Sequence, residues 1–168
     1  MKVSDREVHL VLPARAENVI VVRQAVAGLG EALGIPSQRV DDLKTVVTEA
    51  CNNVVLHAYD EAEEGPLEVS AAANEDEIVI EVRDRGDGFQ PSSSVGDELS
   101  LGLGLPLIAA LSDSFEISGA AGKGTRMTVR FGLDATSAAG NGDRPTKTAE
   151  ELAMQISEGR RWSWRAPL

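Results

Sequence analysis

The chain is short of cysteine: Cys51 stands alone among 168 residues, so no internal disulfide can form, and a reducing compartment is the matching environment. Cations are also scarce, with 16 Lys and Arg against 27 Asp and Glu and a net charge of −11. A general nucleic-acid binder needs surplus cations to neutralise phosphates, so this balance argues against that class and no direct nucleic-acid partner is expected. Long apolar runs are missing as well. The opening "MKVSDREVHLVLPARAE" holds no apolar core of a signal peptide, and no stretch is long enough to span a bilayer. A soluble, cytoplasmic protein without a membrane partner is the expectation. What remains is a chain with 42% apolar residues, enough for one domain with a real core plus a tail.

Hydropathy alternates in "EVHLVLPA", where Val8, Leu10 and Leu12 share one face of a strand. Val19, Val22, Val26, Leu29 and Leu33 then recur at helical spacing, and Gly34 and Pro36 end that helix. Ser37 is the expected N-cap of a second helix, along which Val40, Leu43, Val47, Ala50, Val54 and Ala58 form an apolar stripe. "GPLEVSAAANEDEIVIEVRD" predicts two strands around the turn "NEDE", with Ile78, Ile80 and Val82 on one face and Val79, Glu81 and Arg83 on the other. Residues 85–100 are rich in Gly, Ser, Pro and Asp and predict a loop. "LGLGLPLIAALSD" predicts a Gly-rich turn opening a helix. "SFEISGAAGKGTRMTVRFGL" predicts a closing strand pair, in which Thr125, Met127, Val129 and Phe131 alternate with Arg126, Thr128 and Arg130.

The order β, α, α, β, β, loop, α, β, β predicts an α+β fold: a two-layer sandwich of one mixed, mostly antiparallel sheet with helices on one face. Residues 1–133 are expected to form the domain. Residues 134–168 are expected to be a flexible tail, linker-like at first, with a short helix near Thr146 to Ser157. A docking segment built on Trp162, Trp164 and the neighbouring arginines is the alternative use of its end.

Four clusters carry candidate chemistry. In "TEACNNVVLHAYDEAEEG" a carboxylate, two amides and a histidine sit mid-helix, although asparagine competes there for backbone hydrogen bonds. Glu49, Asn53 and His57 are four apart and form one row, rotated on the order of 100° from the stripe through Ala50 and Val54. That row lies at the edge of the core, where a helix can wall a cleft. A carboxylate can take a proton from a hydroxyl. An amide oxygen one turn away can ligate Mg²⁺, which keeps several waters and takes other ligands from substrate phosphates. A structural helix with a hydrogen-bonded polar row is the competing explanation.

"VRDRGDGF" ends a strand at Asp84, followed by Gly86 and Gly88. An ionised aspartate only accepts hydrogen bonds, which suits an exocyclic amine such as that of adenine, and the glycines permit close backbone approach. A plain strand-ending turn has the same composition. In "SLGLGLPLIAAL", Gly102 and Gly104 stand where a helix is expected to begin, and free N–H groups at a helix start take anions. Pro106 suits a first helical turn. A tight packing turn is the alternative, because the six-residue dinucleotide fingerprint is incomplete. In "GKGTRMTVRF", Gly124 and Thr125 start the last strand, and Thr125 is either a ligand contact or simply a β-branched strand residue.

In this order and spacing the four pieces resemble the N, G1, G2 and final boxes of the Bergerat ATP-binding fold, the histidine-kinase-like ATPase superfamily. Within it, Glu49, Ala50, Asn53, His57 and Tyr59 resemble the E-A-x-x-N-x-x-x-H-x-Y helix of the bacterial anti-sigma-factor serine kinases. The resemblance covers roughly Val8 to Gly132. It implies Glu49 as general base and Asn53 as the asparagine that holds Mg²⁺ on the ATP phosphates. Asp84 is implied as the adenine-binding aspartate, with Gly86 and Gly88 shaping that pocket. Gly102, Leu103, Gly104 and Leu105 are implied at the phosphate lid, and Thr125 at the pocket floor. Asn52 falls where the family varies, and His57 is not placed at the metal. The segment between Gly88 and Gly102 corresponds to a short ATP lid.

The resemblance implies an anti-sigma factor that is also a serine/threonine protein kinase. It would bind a sigma factor, phosphorylate an antagonist (anti-anti-sigma) protein with Mg-ATP, and form a homodimer. Two other functions fit the same residues: an ATP-dependent partner switch with little kinase activity, and a detached histidine-kinase catalytic domain. The last lacks a helical segment with a phosphoacceptor histidine, since the two histidines are His9 in a strand and His57 in the N box.

Overall fold

The computed structural model describes residues 6–60, 63–87, 98–120, 122–133 and 162–165, with 98–103 and 162–165 described as backbone. The elements in chain order are β1 (Arg6–Pro13), α1 (Ala16–Ala32), α2 (Ser37–His57), β2 (Pro66–Ala73), β3 (Glu77–Arg83), α3 (Glu98–Leu111), β4 (Ser114–Gly119), β5 (Thr125–Gly132) and β6 (Trp162–Arg165). They form the expected α+β two-layer sandwich. Its sheet runs β1-β2-β3-β5-β4-β6, and every described pair is antiparallel. Hairpins impose that direction on β2 with β3 and on β4 with β5.

The alternation in each strand decides its faces. Leu67, Val69, Ala71, Ile78, Ile80, Val82, Phe115, Ile117, Met127, Val129 and Phe131 are buried and face the helices. Arg83, Arg126 and Arg130 lie on the opposite, open face and are exposed. The α2 stripe is buried as its spacing predicts, and Val46 and Cys51 widen it. Burial of this kind contributes about 1.5–3 kcal/mol for each Val or Leu side chain and is what holds α2 to the sheet. Cys51 belongs to that packing: burial pushes its thiol up to about 12, so it acts as a small apolar residue and not as a nucleophile.

The ends of the elements follow local chemistry. Gly34, at φ +72°, takes the left-handed position after α1. Its N–H donates to Glu31 O (3.0 Å) and that of Ile35 to Gly30 O (3.3 Å), the paired bonds of a Schellman motif. Ser37 is the first residue of α2 and Pro36 stands at the cap, so Ser37 is not the side-chain cap its type suggests. In the "NEDE" turn the Asn74 side-chain oxygen accepts the N–H groups of Asp76 and Glu77, both at 2.8 Å.

Two features depart from expectation. The Gly-rich turn expected at Gly102 and Gly104 is helical instead: α3 starts at Glu98, so Gly102, Gly104 and Pro106 lie inside it. Each glycine costs about 1 kcal/mol there, and Pro106 removes one backbone bond. Burial of Leu105, Ile108 and Ala109 against the core offsets this. The tail also does not leave the domain throughout. Trp162–Arg165, beyond the boundary drawn at residue 133, adds strand β6 to β4. The helix expected near Thr146 to Ser157 lies outside the described residues.

Arg39 is buried, which its residue type does not suggest. Its guanidinium donates to Asp113 (2.9 Å) and to Gly132 O (3.1 Å) and lies over the Phe131 ring, 5.2 Å from its centroid. Asp113 also accepts the Gly132 N–H at 2.6 Å. This network pins the start of α2 to the ends of α3 and β5, opposite the end of α2 that carries the polar row.

Candidate functional site

The last turns of α2 pass over the ends of β3, β4 and β5 and leave a cleft between them. Its apolar wall is Val54, Val82, Ile117 and Met127, and Asn53, His57, Asp84 and Thr125 bring polar groups to it. An apolar cleft with a few polar groups suits a small ligand with an apolar body and polar edges, such as a nucleobase.

Asp84 is buried, 7% exposed, at the end of β3. One carboxylate oxygen, Oδ1, accepts the N–H groups of Gly86 (3.0 Å) and Thr125 (3.1 Å), and the Thr125 hydroxyl also bonds the carboxylate. Burial raises its pKa above the ordinary aspartate value, with these hydrogen bonds opposing the shift. A carboxylate has about four acceptor positions, so capacity remains for an amine donor in the cleft.

The loop after Asp84 is seated by the absence of side chains. A Cβ on Gly86 would overlap the Ala58 carbonyl at the end of α2, and one on Gly124 would overlap the Asp84 carbonyl. Gly124 also needs its positive φ of 75°. Gly86→Ala is expected to destabilise the domain by about 3 kcal/mol, the upper range for overpacking, seen as a lower urea midpoint at an unchanged slope. An unchanged midpoint would mean that the Ala58–Gly86 approach is not rigid.

Tyr59 is the clamp of this region. Its hydroxyl donates to Pro66 O (2.6 Å) and accepts the Arg85 N–H (2.9 Å), tying the end of α2 to the start of β2 and the end of β3. Its place in the E-A-x-x-N-x-x-x-H-x-Y pattern marked it, but nothing in the sequence told a clamp from a ligand contact. His57 lines the cleft one turn beyond Asn53.

Glu49 and Asn53 meet α3 at Gly104. A Cβ there would stand 3.3 Å from Glu49 Oε2 and 3.7 Å from Asn53 Oδ1, which places Gly104 directly against the polar row. The Asn53 side-chain nitrogen is buried without a hydrogen-bond partner. An orphan of this kind costs about 1–3 kcal/mol unless a water or a ligand supplies the partner, which makes Asn53 a candidate ligand contact. An amide offers a donor or an oxygen at one position according to its flip, so Asn53 fits a hard cation as well as a phosphate. Among the described residues no cluster of three His, Cys, Asp or Glu side chains is poised to hold a metal. Mg²⁺ needs no such cluster, because water and phosphate supply most of its ligands.

The expected site residues thus divide. Glu49, Asn53 and Gly104 come together, Asp84, Gly86 and Thr125 come together, and Asn53, Asp84 and Thr125 line one cleft. Leu105 is 2% exposed in the core, so any contact it makes with a nucleotide is through its backbone. Gly102 and Leu103 lie in the first half of α3, away from its free N–H end. Gly88 lies outside the described residues. Val54, Val82, Ile117 and Met127 were legible as core residues but not as cleft wall.

An α+β sandwich whose polar helix row faces a strand-end aspartate across an apolar slot is the frame of a nucleotide-binding domain. The family described as the histidine kinase-like ATPase domain matches residues 12–131, and the chain belongs to it. Among curated relatives, the serine-protein kinase RsbW of Bacillus velezensis is 31% identical over 140 residues, 76% of this chain and 88% of that one. RsbW of Halalkalibacterium halodurans is 36% identical over 133 residues, 72% of this chain and 81% of that one. The anti-sigma F factor of Clostridium beijerinckii is 27% identical over 135 residues, 76% of this chain and 94% of that one. Among solved structures, the RsbU and RsbW domains of a Mycobacterium tuberculosis protein match in fold, with a TM-score of 0.59 at 24% identity. The match covers 74% of this chain and about a third, 32%, of that one.

Proposed function

We propose that the chain is a Mg-ATP-dependent serine/threonine protein kinase and anti-sigma factor, which binds a sigma factor and phosphorylates an antagonist protein. The observation that carries the reading is the convergence of Glu49 and Asn53 on Gly104 beside a cleft with Asp84 at its end. Family membership and the relatives' names support it. Residues 1–133 are the proposed kinase domain, acting in the cytoplasm.

Asp84 takes the adenine amine, Thr125 and Gly86 frame the pocket, and Val54, Val82, Ile117 and Met127 cover the ring faces. The phosphates extend toward Asn53 and α3. Mg²⁺, held by the Asn53 amide and phosphate oxygens, would neutralise charge on the transferring phosphoryl group. Glu49 takes the proton of the partner's serine as that oxygen bonds the γ-phosphorus and the bond to the departing ADP breaks. Such a base works only on a serine delivered in line, so the kinase step requires a docked protein substrate.

Asn53, not Asn52, is the proposed metal ligand, because it stands one helical turn from Glu49 and its side chain is the buried orphan. Asn53→Ala is expected to remove most of the affinity that Mg²⁺ adds to nucleotide binding, whereas Asn52→Ala leaves it. Calorimetric titrations with and without Mg²⁺ check the pair, and the opposite ranking would assign the metal to the other amide.

A homodimer is also proposed, on the family resemblance. Light scattering is expected to give twice the 17.8 kDa chain mass. A chain mass at every concentration would remove the dimer without touching the site.

A further inference from the structure

The family match ends at residue 131, yet the sheet does not. Trp162–Arg165 pairs along the outer edge of β4 in the register Ser114↔Arg165, Phe115↔Trp164, Glu116↔Ser163 and Ile117↔Trp162. The other edge of β4 pairs with β5, where Ile117 stands opposite Met127. Both of those residues wall the cleft. The backbone that carries Ile117 is therefore held between β5 on one side and the C-terminal strand on the other.

We propose that the outer edge of β4 is a strand-docking site whose resident is this chain's own C-terminal strand, and that this docking holds the Ile117 wall of the cleft in its nucleotide-binding position. The second half rests on the nucleotide reading above; the first does not. An unpaired edge exposes a row of N–H and C=O groups and frays at low free-energy cost. Pairing with β6 satisfies that row and makes β4 an interior strand. Residues 134–161 lie between β5 and β6, so the docking is intramolecular. A covalent tether raises the effective concentration of the strand at this edge far above that of a free peptide, which favours the seated strand. The tail thus becomes part of the binding machinery, although it lies outside the region the family shares.

The test uses the full chain. In an antiparallel pair, successive residues direct their N–H groups alternately toward and away from the neighbour. Prolines at both Ser163 and Trp164 therefore remove at least one inward donor whatever the phase. Hydrogen exchange on the wild type is expected to show the outward-facing amides of β4 protected well beyond those of the outer edge of β1. Equal, fast exchange at the two edges would overturn the docking outright, without reference to any variant.

In the Ser163→Pro, Trp164→Pro chain that protection should vanish while α1, α2 and β2 keep theirs. ADP affinity should fall by about three- to tenfold, the effect of one modest lost interaction. A synthetic peptide spanning Arg160–Leu168, added in excess, should restore both protection and affinity. Lost protection with unchanged ADP affinity would overturn the coupling to the cleft. Failure of the peptide to restore β4 protection would overturn the edge as a strand-docking site. A wild type that binds no ADP would remove the nucleotide reading, and the exchange measurement would still decide the docking.

Discussion

Glu49→Gln should lose about a hundred- to ten-thousand-fold in phosphate transfer to the antagonist protein, the usual range when a general base is removed. Glutamine keeps the length of the side chain and its packing against Gly104, where Glu49 Oε2 stands 3.3 Å from the position a Cβ would take. The helix and the α2–α3 contact are therefore preserved, and only basicity is lost. Mg-ATP affinity should stay within a few-fold, because Asn53 and Asp84 still make their contacts. Sigma-factor binding should survive too, since holding a partner needs no proton transfer. Both quantities are read from one preparation, by calorimetry and by the rate of antagonist phosphorylation. Transfer at the wild-type rate would leave the fold standing and take Glu49 out of the mechanism. Parallel loss of affinity and rate would make Glu49 a brace for the helix pair instead.

Asp84→Asn should cost on the order of a hundredfold in ADP or ATP affinity while leaving the loop folded. The structure makes the two halves separable. The asparagine oxygen can still accept the N–H groups of Gly86 and Thr125, which the Asp84 Oδ1 accepts at 3.0 and 3.1 Å. The amide NH₂ replaces the second oxygen and presents a donor to the donor amine of adenine. A lost charge-assisted hydrogen bond is worth about 1.5–3 kcal/mol, which is the hundredfold at its upper end. Stability should be unchanged or slightly higher. Burial raises the Asp84 pKa, so the ionised form is penalised on folding, and a neutral amide removes that penalty at pH 7. Unaltered nucleotide affinity in this variant would place the base elsewhere. Loss of affinity together with a large fall in the urea midpoint would make Asp84 a structural anchor of the loop.

Periodicity carried most of the fold because this sheet buries one face and leaves the other open. Ile78, Ile80 and Val82 are buried while Arg83 is exposed, and the stripe from Val40 to Ala58 is buried along its length. What periodicity could not carry was set by groups without side-chain signatures. Gly102 and Gly104 suggest a turn by composition, but burial of Leu105 and Ile108 carries the helix through them. Ser37 has the right chemistry for a cap, yet Pro36 takes that place. The four residues of β6 are too few to alternate visibly, and their pairing with β4 is a long-range contact that no local pattern announces.

The site was legible through residues that look out of place locally. Asn53 mid-helix and Asp84 before two glycines are poor choices for a helix and a buried strand end, and both face the cleft. The rest of the cleft was not legible, because Val54, Ile117 and Met127 do there what any core residue does. Gly104 stands in a box of the pattern, but its contact with Glu49 and Asn53 is long-range and no local signal announces it.

The central claim is that this cleft presents the γ-phosphate of Mg-ATP to a serine on a protein partner. Incubation of the wild-type chain with γ-labelled ATP, Mg²⁺ and candidate antagonist proteins tests it most directly. The account predicts label on a serine of one antagonist, dependent on Mg²⁺, weakened at limiting ATP by Asp84→Asn through its lower nucleotide affinity, and reduced at least about a hundredfold by Glu49→Gln. A wild-type chain that binds Mg-ATP and its partners but transfers no label to any of them would contradict the kinase and leave an ATP-dependent switch in its place.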